Sequence, residues 1–114
     1  MRLTVRQIYD RSEGKPWAVP AEVFETDGPA GFRCPGVGPI TDTLAVYAMS
    51  AYMQEYLLKM GYVKFDWTDH IDGNTQMSAW SLNGTVGSDW NCRRVEALLE
   101  VCEKVEAKHG KEPK

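Results

Sequence analysis

Histidine and paired cysteine are what this chain has least of. Its 114 residues hold two histidines, His70 and His109, and three cysteines, Cys34, Cys92 and Cys102, with no CxxC among them. That spacing excludes a zinc site of the usual Cys/His type and predicts no structural disulfide, since the count is odd and unpaired. Basic excess is missing as well. The formal net charge is −3, and a protein without a basic face cannot draw general nucleic-acid affinity from counterion release. The opening residues MRLTVRQIYDRSEG lack the apolar run of a signal peptide, and no stretch reads as a membrane span. Internal repeats, linkers and low-complexity segments are absent too. A reduced, cytoplasmic, soluble protein is the expectation, with no cofactor and no metal.

What is present is the make-up of a folded domain, 43% hydrophobic and 25% charged. One domain over residues 1–110 is expected, with a frayed tail at 111–114. Between residues 36 and 90 stand six acids, Asp42, Glu55, Asp66, Asp69, Asp72 and Asp89, against Lys59 and Lys64 alone. The middle of the chain is its acidic part.

The most informative stretch is TDTLAVYAMSAYMQEYLLKM at 41–60. At 100° per residue its polar positions Thr43, Ser50 and Gln54 fall in one narrow strip, with Glu55 and Lys59 to one side. Nearly all the rest is apolar, so a helix largely buried in the core is expected, capped at Thr41 or Asp42 and stopped by Gly61. So much apolar surface in a short chain also predicts a homodimer.

Around this helix the pattern predicts short strands. Residues 3–9 alternate imperfectly and read as a strand; residues 17–26 read as an edge strand because Pro20 cannot donate to a ladder. Residues 27–39, with four glycines and three prolines in thirteen, read as a shaped loop without regular structure. Residues 62–67 alternate, with Tyr62, Lys64 and Asp66 on one face and Val63, Phe65 and Trp67 towards the core. A turn at Asp72 and Gly73 leads to a strand at 75–82 and a tight hairpin at Asn83 and Gly84. Ser88 or Asp89 is the expected cap of a second helix running to about His109, with Val95, Leu98, Leu99, Cys102 and Val105 in one apolar stripe. The expected fold is α+β: an antiparallel sheet of about four short strands with two helices, the first largely buried.

Several groups could carry chemistry. The Gly-rich loop 31–42 precedes a helix start, as anion-binding loops do, but it has no P-loop lysine and Asp42 would repel phosphate. Cys34 beside Arg33 is a candidate nucleophile, needing His70 as its base. Asp66, Asp69, His70, Asp72 and Asn74 offer oxygen ligands, yet with Gly73 as the sixth loop position an EF-hand would need acids at Thr68 and Ala79. Trp80 and Trp90 border polar residues, and Arg93 and Arg94 oppose the dipole of the second helix unless an acid compensates them. The hairpin is expected to bring Trp80, Trp90, Arg93 and Arg94 together as a surface for a protein partner or a small anionic ligand. The alternative for the arginines is simple pairing with Glu96 or Glu100.

These patterns favour a non-catalytic binding protein with an aromatic and polar surface. A small enzyme or ligand-binding domain using loop 31–42 with Cys34 and His70 is the alternative. A third reading is an acidic inhibitor that fills a basic, nucleic-acid-binding groove of a partner with Asp66, Asp69, Asp72 and Asp89.

Overall fold

The computed structural model describes residues 2–109; the tail at 111–114 lies outside the described residues. The first element is a helix, α1 (Val5–Ser12), where a strand was expected. Thr4 and Gln7 form a capping box: the Thr4 hydroxyl accepts the Gln7 amide at 3.1 Å and the Gln7 side chain accepts the Thr4 amide at 2.8 Å. The break in alternation at Arg6 and Gln7 is thus the helical period, which buries Val5, Ile8 and Ser12 on one side.

The segment expected as an edge strand is mostly turn. Val23 donates back to Pro20, and only β1 (Glu25–Asp27) enters a sheet, pairing with β2 (Gly31–Cys34), which pairs with β3 (Gly38–Ile40). The glycines and prolines of 27–39 therefore do not exclude strands; they turn the chain between very short ones. Gly28 at φ +72° and Gly36 at φ +79° take left-handed turn positions that side chains disfavour, and Pro39 sits on an edge strand where no ladder donor is needed. Phe32 of this small antiparallel sheet meets Phe24 and Tyr9 with ring centroids 5.3 Å and 5.4 Å away. Trp17 is buried beside α1, donating through Nε1 to Ser12 Oγ at 3.1 Å, with its ring 5.1 Å from that of Tyr56.

Helix α2 (Asp42–Lys59) starts at the expected cap, Thr41 Oγ1 accepting the Leu44 amide at 3.2 Å, and is followed by Gly61 at φ +94°. Its burial differs from expectation. Ala45, Met49, Met53, Tyr56 and Leu57 face the core, but Leu44, Tyr47 and Leu58 are 54%, 68% and 54% exposed.

The helix with protein on nearly every side is α3 (Arg94–His109). It buries Val95, Glu96, Ala97, Leu98, Leu99, Val101, Cys102 and Val105, packing on α2 along one side and on a second antiparallel sheet along the other. That sheet is β4 (Lys64–Asp69), β5 (Thr75–Ser81) and β6 (Gly84–Gly87), in that order. The expected stripe on this helix is correct, but the helix begins later than Ser88 or Asp89. Asn91 instead exchanges backbone hydrogen bonds with Thr75, both 2.8 Å, and continues the sheet. Ser88 is spent in the same place, its hydroxyl accepting the Met77 amide at 2.9 Å. Among the described residues three helices and two three-stranded sheets thus share one core, where two helices and one sheet were expected.

The β4–β5 register places Lys64 opposite Trp80, Asp66 opposite Ser78 and Thr68 opposite Gln76 on the outer face, with Phe65, Trp67, Met77 and Ala79 inward. Before β4 the expected alternation is inverted. Tyr62 is buried and its hydroxyl meets His109 Nε2 at 2.8 Å, while Val63 is exposed. The helix has only just ended there, and the chain has not yet settled into the strand.

Two outcomes test this packing. Leu98→Ala should cost about 2–5 kcal/mol, as expected for a fully buried leucine, whereas Leu82→Ala, at a 99% exposed hairpin position, should stay within about 0.5 kcal/mol; urea titrations compare the two. Burial pushes the Tyr56 phenol up to about 12, with Cys102 and Glu106 adding to it. A raised folded-state pKa means stability that is complete below pH 10 and lost as the pH rises towards 12, so alkaline unfolding should set in over that window and coincide with the last phenolate absorbance.

A candidate binding groove between two helices and a strand

The groove lies where α2, the start of α3 and β4 meet, with a volume of about 340 Å³. Val46 and Tyr47 form its wall on α2, Val95 and Leu98 the facing wall, and Trp67 the floor. Ser50 and Gln54, from the polar strip of α2, and Arg93 and Arg94 supply its polar atoms. The Arg94 guanidinium lies over the Trp67 ring, Cζ 4.9 Å from the centroid, and its Nη2 donates to Asp69 Oδ2 at 2.9 Å. Arg94 holds the Asp69 carboxyl below the usual carboxylate range. Both partners are more than half exposed, so this pair contributes little to stability and is easily exchanged.

Arg93 is placed quite differently. Its guanidinium donates to the Leu3 carbonyl and, through Nε, to Glu96 Oε1 at 3.3 Å, while Glu96 Oε2 accepts the Leu3 amide at 2.7 Å. The Glu96 side chain is 1% exposed. Arg93 is therefore committed to a buried carboxylate and to the chain near its start, and only Arg94 is free to change partners.

The four residues expected to cluster do not all meet. Trp80 is near the far end of β5, under the Lys64 ammonium at 5.7 Å on the outer sheet face. Trp90 adjoins Asn91, which bridges Thr75 at the other end of β5; five strand residues, about 17 Å at ~3.4 Å each, separate those ends. Trp90 stands edge-on to His70, centroids 5.6 Å apart, and faces a separate depression with Leu3 and Glu96. Trp67 and Tyr47 were missed as groove residues. The available signal was the polar strip of α2, which marks the side where that helix lacks a tight neighbour.

Other candidates have local partners. No hydrogen bond joins Cys34 to His70: the Cys34 thiol reaches the Pro35 carbonyl at 3.9 Å, and His70 Nδ1 accepts the Asp72 amide at 3.3 Å. Loop 31–42 is largely strand, so it forms no open cradle before α2. Asp66 pairs with Lys64, Asp69 with Arg94, and Asp72 caps its own turn by accepting the Asn74 amide at 3.0 Å. Asp89 points its amide at Glu100 Oε2, 2.7 Å away. Among the described residues no three His, Cys, Asp or Glu side chains are grouped to hold a metal ion, and no helix is long and apolar enough to cross a membrane.

In comparisons with known proteins, no family model, no curated protein and no solved structure matches the chain. The residues themselves are the guide to function.

The two arginines should separate on substitution. Arg93→Ala leaves a buried carboxylate short of a partner and should cost about 1–3 kcal/mol; Arg94→Ala should change stability by less than about 1 kcal/mol. Thermal or urea unfolding of the single variants measures the difference, and equal losses would refute the assignment of separate roles.

Proposed function

We propose that the chain is a non-catalytic binding protein that self-associates, and that the groove beside α2 receives a ligand with a flat apolar body and a negatively charged end. The observation that carries this reading is Arg94 lying over Trp67 in a groove whose walls are mainly apolar. An incoming carboxylate or sulfonate would take the place of Asp69 on Arg94, an exchange between exposed partners with little net cost. The apolar body of the ligand would rest on Trp67 between Tyr47 and Leu98, covering surface that water now meets. Ser50 and Gln54 offer hydrogen bonds at the rim and would select for orientation. The same chemistry is available from a small aromatic anion or from an acidic, aromatic segment of a partner protein. A cytoplasmic setting fits three cysteines that are all unpaired.

The probe for this reading is an anilinonaphthalene sulfonate, which combines a flat aromatic body with one negative charge, titrated by fluorescence against protein shown to be folded by circular dichroism. Arg94→Ala should weaken binding about tenfold, equivalent to ~1.4 kcal/mol, and Trp67→Leu by a similar factor, while Trp80→Leu leaves it unchanged. An acidic peptide ending in a tryptophan, titrated in parallel, separates a small-anion site from a segment-binding site. Unaltered probe binding in both groove variants would place the site elsewhere.

A further inference from the structure

The side of α2 that points away from the core is apolar along its outermost line. Its buried residues centre on Met49 and Met53, and half a turn away stand Leu44, Ala51 and Leu58, seven residues apart, with Tyr47 beside them. All four are exposed, forming an apolar line flanked by Gln54 on one side and Glu55 and Lys59 on the other. A helix that packs on its own core by one side only normally turns a polar side to water. Leu44, Ala51 and Leu58 recur at the seven-residue step of a helix that packs on another helix.

We infer that α2 is the dimer interface, and that two copies of it pair antiparallel across a two-fold axis at Ala51. This inference rests on the self-association proposed above and adds the surface, the direction and the register. Residues about Ala51 are mutually complementary when the helix is reversed onto itself. Ala51 meets Ala51 of the second copy, Leu44 meets Leu58, and Tyr47 meets Glu55. The small Ala51 at the crossing lets the axes approach to about 8 Å, the close end of the usual range. The Tyr47 hydroxyl then donates to the Glu55 carboxylate of the second copy, which in the single chain has Lys59 at 3.0 Å as its partner. Lys59, at the C-terminal end, comes beside Thr43 and the acidic N-terminal residue Asp42, and the helix dipoles oppose each other. A parallel pair would instead set Glu55 against Glu55 and align the dipoles, so charge selects the antiparallel form. One helix pair is small beside the ~1,200–2,000 Å² of a stable interface. The dimer is accordingly expected to dissociate in the micromolar range.

Light scattering and oxidative cross-linking of the full chain test this in a Cys34→Ser, Cys92→Ser background, in which only the buried Cys102 remains. Scattering at tens of micromolar should give twice the 12.8 kDa chain mass, and Ala51→Glu should return the monomer with unchanged circular dichroism. Ala51→Cys should form an interchain disulfide, because cysteines at the crossing fall within bridging distance. Leu44→Cys should not, because in the antiparallel pair the two copies of that position lie about 21 Å apart along the helix. Cross-linking through both positions would establish a parallel pair and overturn the register. A dimer that neither cross-links at Ala51 nor responds to Ala51→Glu would put the interface on another surface, leaving self-association intact. A monomer at all concentrations would end both the inference and the self-association on which it rests.

Discussion

A buried carboxylate must be satisfied or it will unfold what surrounds it, and in this protein that carboxylate is Glu96. Its two oxygens take the Leu3 amide and the Arg93 guanidinium, and Arg93 completes the ring by donating to the Leu3 carbonyl. Both backbone polar groups of one residue near the beginning of the chain are thereby held by an ion pair ninety positions later. The entry to α1 depends on this clasp, since Thr4, the first helix cap, is the next residue. The direction of the two adjacent arginines follows as well. Arg93 turns towards Leu3, so Arg94, 100° further round the helix, is left to lie over Trp67 and give the groove its charge.

The parts of the fold that could be read from the sequence are those whose signals are local and repeated. Helix α2 has a cap, a stop and a long unbroken pattern, and the 75–87 hairpin has a tight turn between alternating strands. The stripe on α3 is correct residue by residue for the same reason. The failures have different physical sources. At 3–9 a Thr-x-x-Gln capping box outweighed an alternation that was already irregular. At 27–39 glycine and proline were weighed as breakers, whereas strands of three or four residues need turns so often that such residues are their natural punctuation. At Asn91 a backbone pair with Thr75, sixteen residues earlier, delayed the helix, and no local pattern carries a contact of that kind.

Ranking the two long helices by hydrophobicity also misplaced the centre of the molecule. Helix α2 is more apolar than α3, yet α3 is enclosed and α2 lies at the surface. Apolar content reports how much surface a helix would shed from water, not which neighbour takes it, and that neighbour can be another molecule. The candidate site was half legible for a related reason. The arginines were identifiable because cations at a helix start are anomalous, and the pairing of Arg93 with Glu96, three residues on, was the local alternative the sequence offered, but the partners of Arg94, Asp69 and Trp67, depend on how a strand and a helix are juxtaposed. Trp80 and Trp90 looked close because a hairpin reverses the chain, although the reversal is too short to undo the length of β5.

Each of the two sheets is an unbroken run of chain, residues 25–40 for one and 64–87 for the other, so every strand pairs with its immediate neighbour in sequence. Such meanders have low contact order and close only short loops, which puts them among the fast-forming elements of a fold. The clasp at Leu3 is the opposite, a closure spanning ninety residues that cannot form until α3 exists. On a ribosome the two meanders would emerge and pair in turn, and α1 could meet the first of them through Tyr9 while the Leu3 clasp stayed unmade. The clasp is thus tied to the arrival of α3, and Leu3 stays unfastened until that helix has emerged.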